Sequence, residues 1–175
     1  MTTPRDRETL IAIARSAIEA ELDGQKLEIT EYPEGSGGVF VTLKSEGRLR
    51  GCIGHLQSED PIYKTVAKMA RSAAFSDPRF PPLTRNEFDS ISIEISRLSE
   101  FFPIAAENVV VGTHGLLLSM GYHSGLLLPQ VPGEQGWDRT AFLSGLCRKS
   151  GLPEGSWENT EAVLEAFTAE VFGEK

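Results

Sequence analysis

The feature that most constrains the fold is a pattern that occurs twice: two strands joined by a tight turn and followed by a helix. The first copy reads GVFVTLKSEGRLRGCIGHL and then IYKTVAKMARSAAF, and the second reads GLLLSMGYHSGLLLPQV and then RTAFLSGLCRKS. Apolar residues alternate along the strands and recur every three or four residues along the helices. Strands joined by a short turn pair antiparallel, so the pattern predicts an α+β protein with a duplicated architecture.

Further elements flank the two copies. Thr3 is a helix-capping residue type and Pro4 suits the first helical position, which predicts a helix from Pro4 to about Leu22. Isoleucines alternate with polar residues in SISIEISRL, which predicts a strand with one buried face. We also expect a short strand in KLEIT and a final helix from Ser156 or Thr160 to about Phe167.

The chain has 175 residues, which suffices for one domain over residues 1–175 with room for two lobes and a cleft. Its net charge of −8 argues against a broad nucleic-acid surface but not against a small anion site. No apolar run approaches the roughly 18 residues of a membrane span, and no secretory signal is apparent. Cys52 and Cys147 stand in unlike contexts, so we expect no disulfide framework and a cytoplasmic protein.

The strand that returns from the first turn carries the main candidate site. In a regular strand Arg50 and Cys52 share one face, where a guanidinium could stabilise the nucleophilic thiolate. Gly51 invites a β-bulge that would re-aim the thiol, and Gly54 leaves space beside it. His55 falls on the opposite face unless the strand turns at its end. Cys52 is therefore a candidate nucleophile, and we predict a ligand site lined by Arg50, Gly51, Gly54 and His55.

The alternative for Cys52 is a small buried residue, because unpaired cysteines are often core residues. Cys147 lies in the middle of a predicted helix beside Phe142, Leu143 and Leu146, so we expect it to be core. Metal binding is not favoured: CIGH places a Cys and a His three positions apart, but no second pair with zinc spacing follows.

Three residues elsewhere could contribute to the site. Arg79 lies in the stiff segment DPRFPP and could face an anion or a partner; alternatively the segment is a connecting loop pinned by Phe80, in which Asp77 and Arg79 order the turn. His114 could carry a proton if the two hairpins face each other, or it could bond a backbone carbonyl. Glu94, on the polar face of its strand, could be an acid or base or a solvated residue.

Seven stretches taken together resemble the AMMECR family. They read LRGCIGHL, AAFSDPRFPPL, IEIS, GTHGLLL, GLLLPQV, GWDRTAFLSGLCRKSGLP and VFGE, and the match as a whole runs from about Leu10 to Glu174. The bacterial and archaeal branch of this family is called AmmeMemoRadiSam system protein A, and the chain is similar to that branch. One departure is His55, where many relatives have Thr, so a mechanism that needs His55 would not extend to them.

The resemblance implies a fold of two intertwined β-α-β-β repeats in which the LRGCIG strand borders a cleft between lobes. It also implies two partners, a Memo-like protein with an extradiol-dioxygenase-like fold and a radical SAM protein. It implies neither a reaction nor a cofactor, because the family's biochemical activity is unassigned and a shared fold does not supply one.

Two functions are consistent with these residues. The one we favour is a binding or accessory module that recognises a protein, a peptide or an anionic small molecule, because no complete catalytic constellation is visible. The other is an enzyme in which Cys52 is the nucleophile, Arg50 activates it and holds a small anionic substrate, and His114 or His55 carries a proton.

Overall fold

The computed structural model describes residues 2–174, in which helices and strands assemble into two four-stranded sheets. The helices are α1 (Pro4–Leu22), α2 (Ile62–Phe75), α3 (Arg85–Phe88), α4 (Val131–Gln135) and α5 (Arg139–Ser150). The strands are β1 (Val39–Ser45), β2 (Arg48–His55), β3 (Ile91–Leu98), β4 (Phe102–Pro103), β5 (Gly115–Met120), β6 (His123–Leu127), β7 (Val163–Phe167) and β8 (Ala169–Gly173). The chain divides into two compact units, residues 2–98 with 170–174 and residues 99–169.

The first unit is built on a sheet of order β2-β1-β3-β8, with β1 antiparallel to both of its neighbours. Helices α1 and α2 pack against each other and cover one face of this sheet. The predicted alternation along β3 is confirmed, because every second side chain of β1 and β3 enters the core. These buried residues are Val39, Val41, Leu43, Ile91, Ile93 and Ile95.

The second unit has a sheet of order β4-β7-β5-β6, in which every pairing is antiparallel. Helix α5 packs on β5 and β6. Cys147 is fully buried in this helix, which confirms its prediction as core. Its neighbours in the apolar cluster include Leu116, Leu118, Phe142, Leu146 and Ala166.

The long helices begin and end where local chemistry requires. Thr3 and Asp6 form a reciprocal capping box at the start of α1, which begins at Pro4 as predicted. Asp138 accepts the Ala141 amide at the start of α5, and Gly151 ends that helix with a left-handed φ of 69°. The predicted cap of α1 by Thr3 is confirmed.

The prediction of a final helix reaching Phe167 is wrong. A short 3₁₀ turn covers Ser156–Glu158, and Val163–Phe167 form strand β7. Glu, Ala and Leu in this stretch favour a helix locally, but β7 lies between β4 and β5 and pairs with both. The hydrogen bonds and apolar contacts of a central strand outweigh the local preference.

The predicted strand in KLEIT is also wrong, since residues 26–30 have no strand partner. Leu27 and Ile29 are partly buried against the core of the first unit. Their alternation with polar residues therefore reflects packing of an extended segment rather than sheet pairing.

The α+β prediction is confirmed by the helices and the two largely antiparallel sheets. No helix found between residues 2 and 174 combines the length and the apolar character needed to cross a membrane.

Candidate functional site

Cys52 lies on β2, the edge strand of the first sheet, on the face opposite helices α1 and α2. It pairs with Thr42 of β1, which pairs in turn with Glu94 of β3, so the three side chains form a row across the sheet. The neighbouring row contains the buried core residues Val41 and Ile95. Cys52 is half-buried. Its thiol is therefore placed outside the apolar core by strand alternation.

A β-bulge interrupts β2 one residue before Gly51. Leu43 pairs with Gly51 and Lys44 pairs with Leu49, which leaves Arg50 as the additional residue. The sequence had indicated a bulge at Gly51, and the structure places its extra residue immediately before that glycine. The bulge turns Arg50 out of the regular alternation of the strand.

Close packing accounts for the two glycines of β2. A Cβ on Gly51 would overlap the carbonyl oxygen of Ala73 in α2, so the glycine lets the helix approach the sheet. A Cβ on Gly54 would overlap the ring of Phe40 on the adjacent strand. The space above Gly54, predicted to be open, is filled by that aromatic ring.

Arg50 is buried and its guanidinium bonds the segment that follows α2. Its Nε donates to Glu87 Oε1 at 2.9 Å, and its Nη2 donates to Glu87 Oε2 at 3.3 Å and to the Pro81 carbonyl at 2.9 Å. The hydrogen bond from Arg50 and the amide of Thr84 lower the pKa of Glu87 from 4.5 to about 2. The Arg50 charge is thus paired with Glu87, and activation of Cys52 by Arg50 stays a prediction.

The segment Asp77–Pro82, here called the edge segment, lies along the free edge of β2. The Cys52 amide donates to Asp77 Oδ2 at 2.9 Å, and Arg79 Nη2 donates to the Cys52 carbonyl at 3.3 Å. Arg79 and Asp77 are themselves paired through Nη2 and Oδ2 at 2.7 Å. An ion pair therefore occupies the position in which an adjacent strand would bond both backbone groups of Cys52.

Asp77 is almost fully buried. Its carboxylate is stabilised in the ionised form because its oxygens accept four hydrogen bonds. It accepts two hydrogen bonds from the Arg79 side chain, one from the Arg79 amide and one from the Cys52 amide. The bond from Arg79 is the largest cause that holds the pKa of Asp77 well below its ordinary value, against the opposing effect of burial. The turn is ordered by Asp77 and Arg79, which agrees with one of the two interpretations of DPRFPP.

The row of Cys52, Thr42 and Glu94 on the outer face of the sheet forms hydrogen bonds at both of its ends, Cys52 and Glu94. Thr42 Oγ1 donates to Cys52 Sγ at 3.2 Å. Lys44 Nζ donates to Glu94 Oε2 at 2.9 Å. The thiol thus has a hydroxyl partner, and the lysine makes Glu94 one member of an ion pair.

The two candidate histidines lie in different units. His55 is exposed at the end of β2. It pairs with Val39, so strand alternation assigns it to the face opposite Cys52. His114 belongs to the second unit, where its Nδ1 accepts the Val110 amide at 3.1 Å and its ring contacts Phe102 edge to face. The Nδ1 of His114 is therefore used as a hydrogen-bond acceptor inside the second unit.

Seven of the eight predicted site residues belong to the first unit, namely Arg50, Gly51, Cys52, Gly54, His55, Arg79 and Glu94. Thr42 and Phe40 were not predicted as site residues, although strand alternation places both on the polar face of β1. Glu87 forms a capping box with Thr84 at the start of α3, and the same carboxylate also binds Arg50. Within residues 2–174, no three His, Cys, Asp or Glu side chains are grouped so that they could hold a metal ion.

The comparisons with known proteins agree with these motifs. The sequence model of the AMMECR1 family matches residues 11–172. A protein from Methanothermobacter thermautotrophicus is 40% identical over 178 residues, covering 95% of this chain and 93% of that protein. A protein from Methanocaldococcus jannaschii is also 40% identical, over 94% of this chain and 88% of its own length.

A solved structure is similar over almost the whole chain. The crystal structure of an uncharacterized protein from Pyrococcus horikoshii superposes with a TM-score of 0.84 at 38% sequence identity, covering 96% of this chain and 91% of that one. The family match over residues 11–172 includes β2, the edge segment and all of the strands except the last residue of β8. The chain therefore belongs to the AMMECR1 family.

Proposed function

We propose that this protein is a binding or accessory component whose recognition surface consists of β2 and the edge segment. The observation that carries the proposal is the Asp77–Arg79 pair, which bonds both edge-facing backbone groups of Cys52. It joins two separate sequence motifs into one ordered surface. A surface ordered before binding loses little conformational entropy when a partner docks.

The exposed side chains of this surface are of the types that proteins use for recognition. Leu49 is 44% exposed, and Leu56 and His55 are exposed at the other end of the strand. The side chain of Arg79 is 55% exposed although its guanidinium is held by Asp77. Exposed leucines at the two ends of β2 and a fixed arginine on the edge segment favour a protein partner or an anionic group over a nucleic acid surface.

The partners we propose are the Memo-like protein and the radical SAM protein that the family resemblance implies, in a cytoplasmic complex. The test is isothermal titration calorimetry of this chain against each of those proteins from the same organism. Leu49→Asp should weaken binding at least about tenfold, because it introduces a charge into a buried interface. Cys52→Ser should leave binding unchanged, since no covalent step is involved.

A matched control is available on the opposite edge of the same sheet. Val171 of β8 is 54% exposed, so Val171→Asp makes the same chemical change on another edge strand. It should leave binding within about twofold of the wild type. Equal effects of Leu49→Asp and Val171→Asp, or no complex with either protein, would overturn the proposed surface.

The second candidate function is an enzyme that uses Cys52 as a nucleophile on a small anionic substrate. The observation in its favour is the hydrogen bond from Thr42 to the half-buried thiol. Peptide mass spectrometry after brief iodoacetamide treatment at pH 7 tests it, with the fully buried Cys147 as internal control. An activated thiolate should react about tenfold faster than glutathione, and Thr42→Val should slow it.

Cys52 labelling that requires denaturation would remove the enzyme candidate and leave the binding proposal standing. Fast labelling together with loss of cellular function in Cys52→Ser would favour the enzyme. Arg50→Ala tests the remaining sequence prediction, that this guanidinium activates the thiol.

A further inference from the structure

A groove of about 520 Å³ lies in the second unit, and none of the eight predicted site residues lines it. Its walls come from three places: the chain that follows β4, the 3₁₀ turn Ser156–Glu158, and the start of β7. The volume is in the range of sites that bind small molecules, roughly 300–1,000 Å³.

The groove has an apolar floor and wall. Ile104, Trp157, Ala162 and Leu164 are partly buried, and their other sides pack against the core of the second unit. Val163, at the start of β7, is exposed. The indole of Trp157 is the only aromatic ring among the lining residues, which also include Pro103, Ala105 and Ala106.

The charged residues that line the groove are both acidic. Glu107 and Glu158 are exposed, and neither carboxylate forms an ion pair in the part of the chain that the structure describes. Arg139 is nearby, but its Nη1 donates to the backbone carbonyl of Glu107 at 2.6 Å and so fixes the turn. Two carboxylates without cationic partners beside an aromatic wall form a site suited to a positive charge.

We propose that this groove binds a small organic cation, an ammonium group attached to a compact apolar body. The carboxylates of Glu107 and Glu158 would attract the ammonium group, Trp157 would supply its π-system, and Ile104 and Leu164 would contact the apolar part. Neither the proposed partner surface nor the Cys52 candidate involves any of these residues.

Phenethylamine is a suitable probe, followed by ¹H–¹⁵N NMR of the two indole groups. The chain has two tryptophans, and Trp137 packs against Gly145 and under Arg148 rather than in the groove. The Trp157 signal, identified by its loss in Trp157→Phe, should move and saturate with a dissociation constant on the order of 1 mM. The Trp137 signal should stay in place.

Two sets of controls separate charge recognition from apolar adsorption. 2-Phenylethanol has the same shape without the charge and should bind several-fold more weakly, and 3-phenylpropionate should not shift Trp157 at all. Glu158→Gln should weaken phenethylamine about two- to fivefold, as loss of one exposed ion pair does. Glu161→Gln removes an exposed acid outside the groove and should have no effect.

The proposal is overturned if phenethylamine leaves Trp157 unmoved up to about 20 mM, well above the expected dissociation constant. It is also overturned if 2-phenylethanol binds equally well, or if Glu158→Gln and Glu161→Gln behave alike. Selective, charge-dependent movement of Trp157 supports it.

Discussion

Gly51 faces α2 at a point where no side chain fits. A Cβ there would overlap the Ala73 carbonyl oxygen and lie 3.1 Å from the carbonyl carbon, both of which are backbone atoms. We therefore expect Gly51→Ala to lower the free energy of unfolding by about 1–3 kcal/mol, measured by urea denaturation. Gly133→Ala is the control, because a Cβ there meets no atom within 4 Å apart from its chain neighbours and the backbone of its own helix. Equal stability of the two variants would contradict the close approach of helix and sheet.

Glu87 should make stability depend on pH in a defined window. Its pKa is lowered from 4.5 to about 2, mainly by the hydrogen bond from Arg50. Since the folded-state pKa lies below the unfolded value, the contact contributes fully above about pH 4.5 and is lost as the pH falls towards 2. Glu87→Gln should therefore reduce the change in the urea midpoint of unfolding between pH 4.5 and about pH 2. It should keep the cap of α3.

Glu100→Gln, which changes an exposed acid, is the reference for that experiment. Asp77 also loses its charge in acid, so the urea midpoint of both variants should still decrease as the pH falls. If Glu87→Gln kept the whole acid slope of the wild type, the Arg50–Glu87 pair would not be the cause.

At the scale of the element, β2 is an edge strand whose exposed backbone is covered by an ion pair instead of another strand. Edge strands with free amide and carbonyl groups invite pairing with other chains. At Cys52 the carboxylate of Asp77 and the guanidinium of Arg79 satisfy both groups. The edge segment thus orders the surface and also protects the strand.

Asp77→Ala should open that edge. The Cys52 amide loses its acceptor, so its hydrogen exchange, followed by NMR, should accelerate about tenfold, equivalent to roughly 1.4 kcal/mol. Light scattering should show increased self-association at high protein concentration. Asp60→Ala removes an exposed acid away from the edge and should change neither quantity. Unaltered exchange at Cys52 in Asp77→Ala would show that its amide is protected by something else.

At the scale of the whole molecule, the last strand returns to the first sheet and places Glu174 against distant parts of the chain. Its carboxylate accepts Arg15 Nε and Nη2, both at 2.6 Å, and the Ile93 amide at 2.9 Å. Arg15 also bonds the carbonyl oxygens of Phe88 and Ile91. One residue near the C-terminus therefore connects α1 to β3.

Glu174→Ala should lower the free energy of unfolding by about 1–2 kcal/mol, because three charge-assisted hydrogen bonds are lost from a partly exposed site. Thermal unfolding measures the effect, and Glu59→Ala is the control at an exposed position. The melting temperature of Glu174→Gln should lie between those of Glu174→Ala and Glu59→Ala, since an amide oxygen can still accept a hydrogen bond from the Ile93 amide. A melting temperature for Glu174→Ala equal to that of Glu59→Ala would rule out this role.

Short-range chemistry in the sequence determined most of the elements. The capping residues Thr3 and Asp138, and Gly151 as a helix stop, act on backbone groups within four positions, so the limits of α1 and α5 follow from neighbouring residues. The alternation in β3 and the turn after Ser45 are equally local, and they carried the α+β prediction. The same alternation sets which face of β2 carries Cys52, although the sequence left open whether that face is buried.

The tertiary structure alone decided which distant groups meet. Residues 163–167 form a strand because β4 and β5 lie on either side of them, although their composition favours a helix. The Arg50 guanidinium bonds Glu87 rather than the thiol two residues away, because a bulge turns it towards α3. Asp77 reaches the Cys52 amide across 25 positions. Such contacts depend on the packing of whole elements, which no short stretch of sequence encodes by itself.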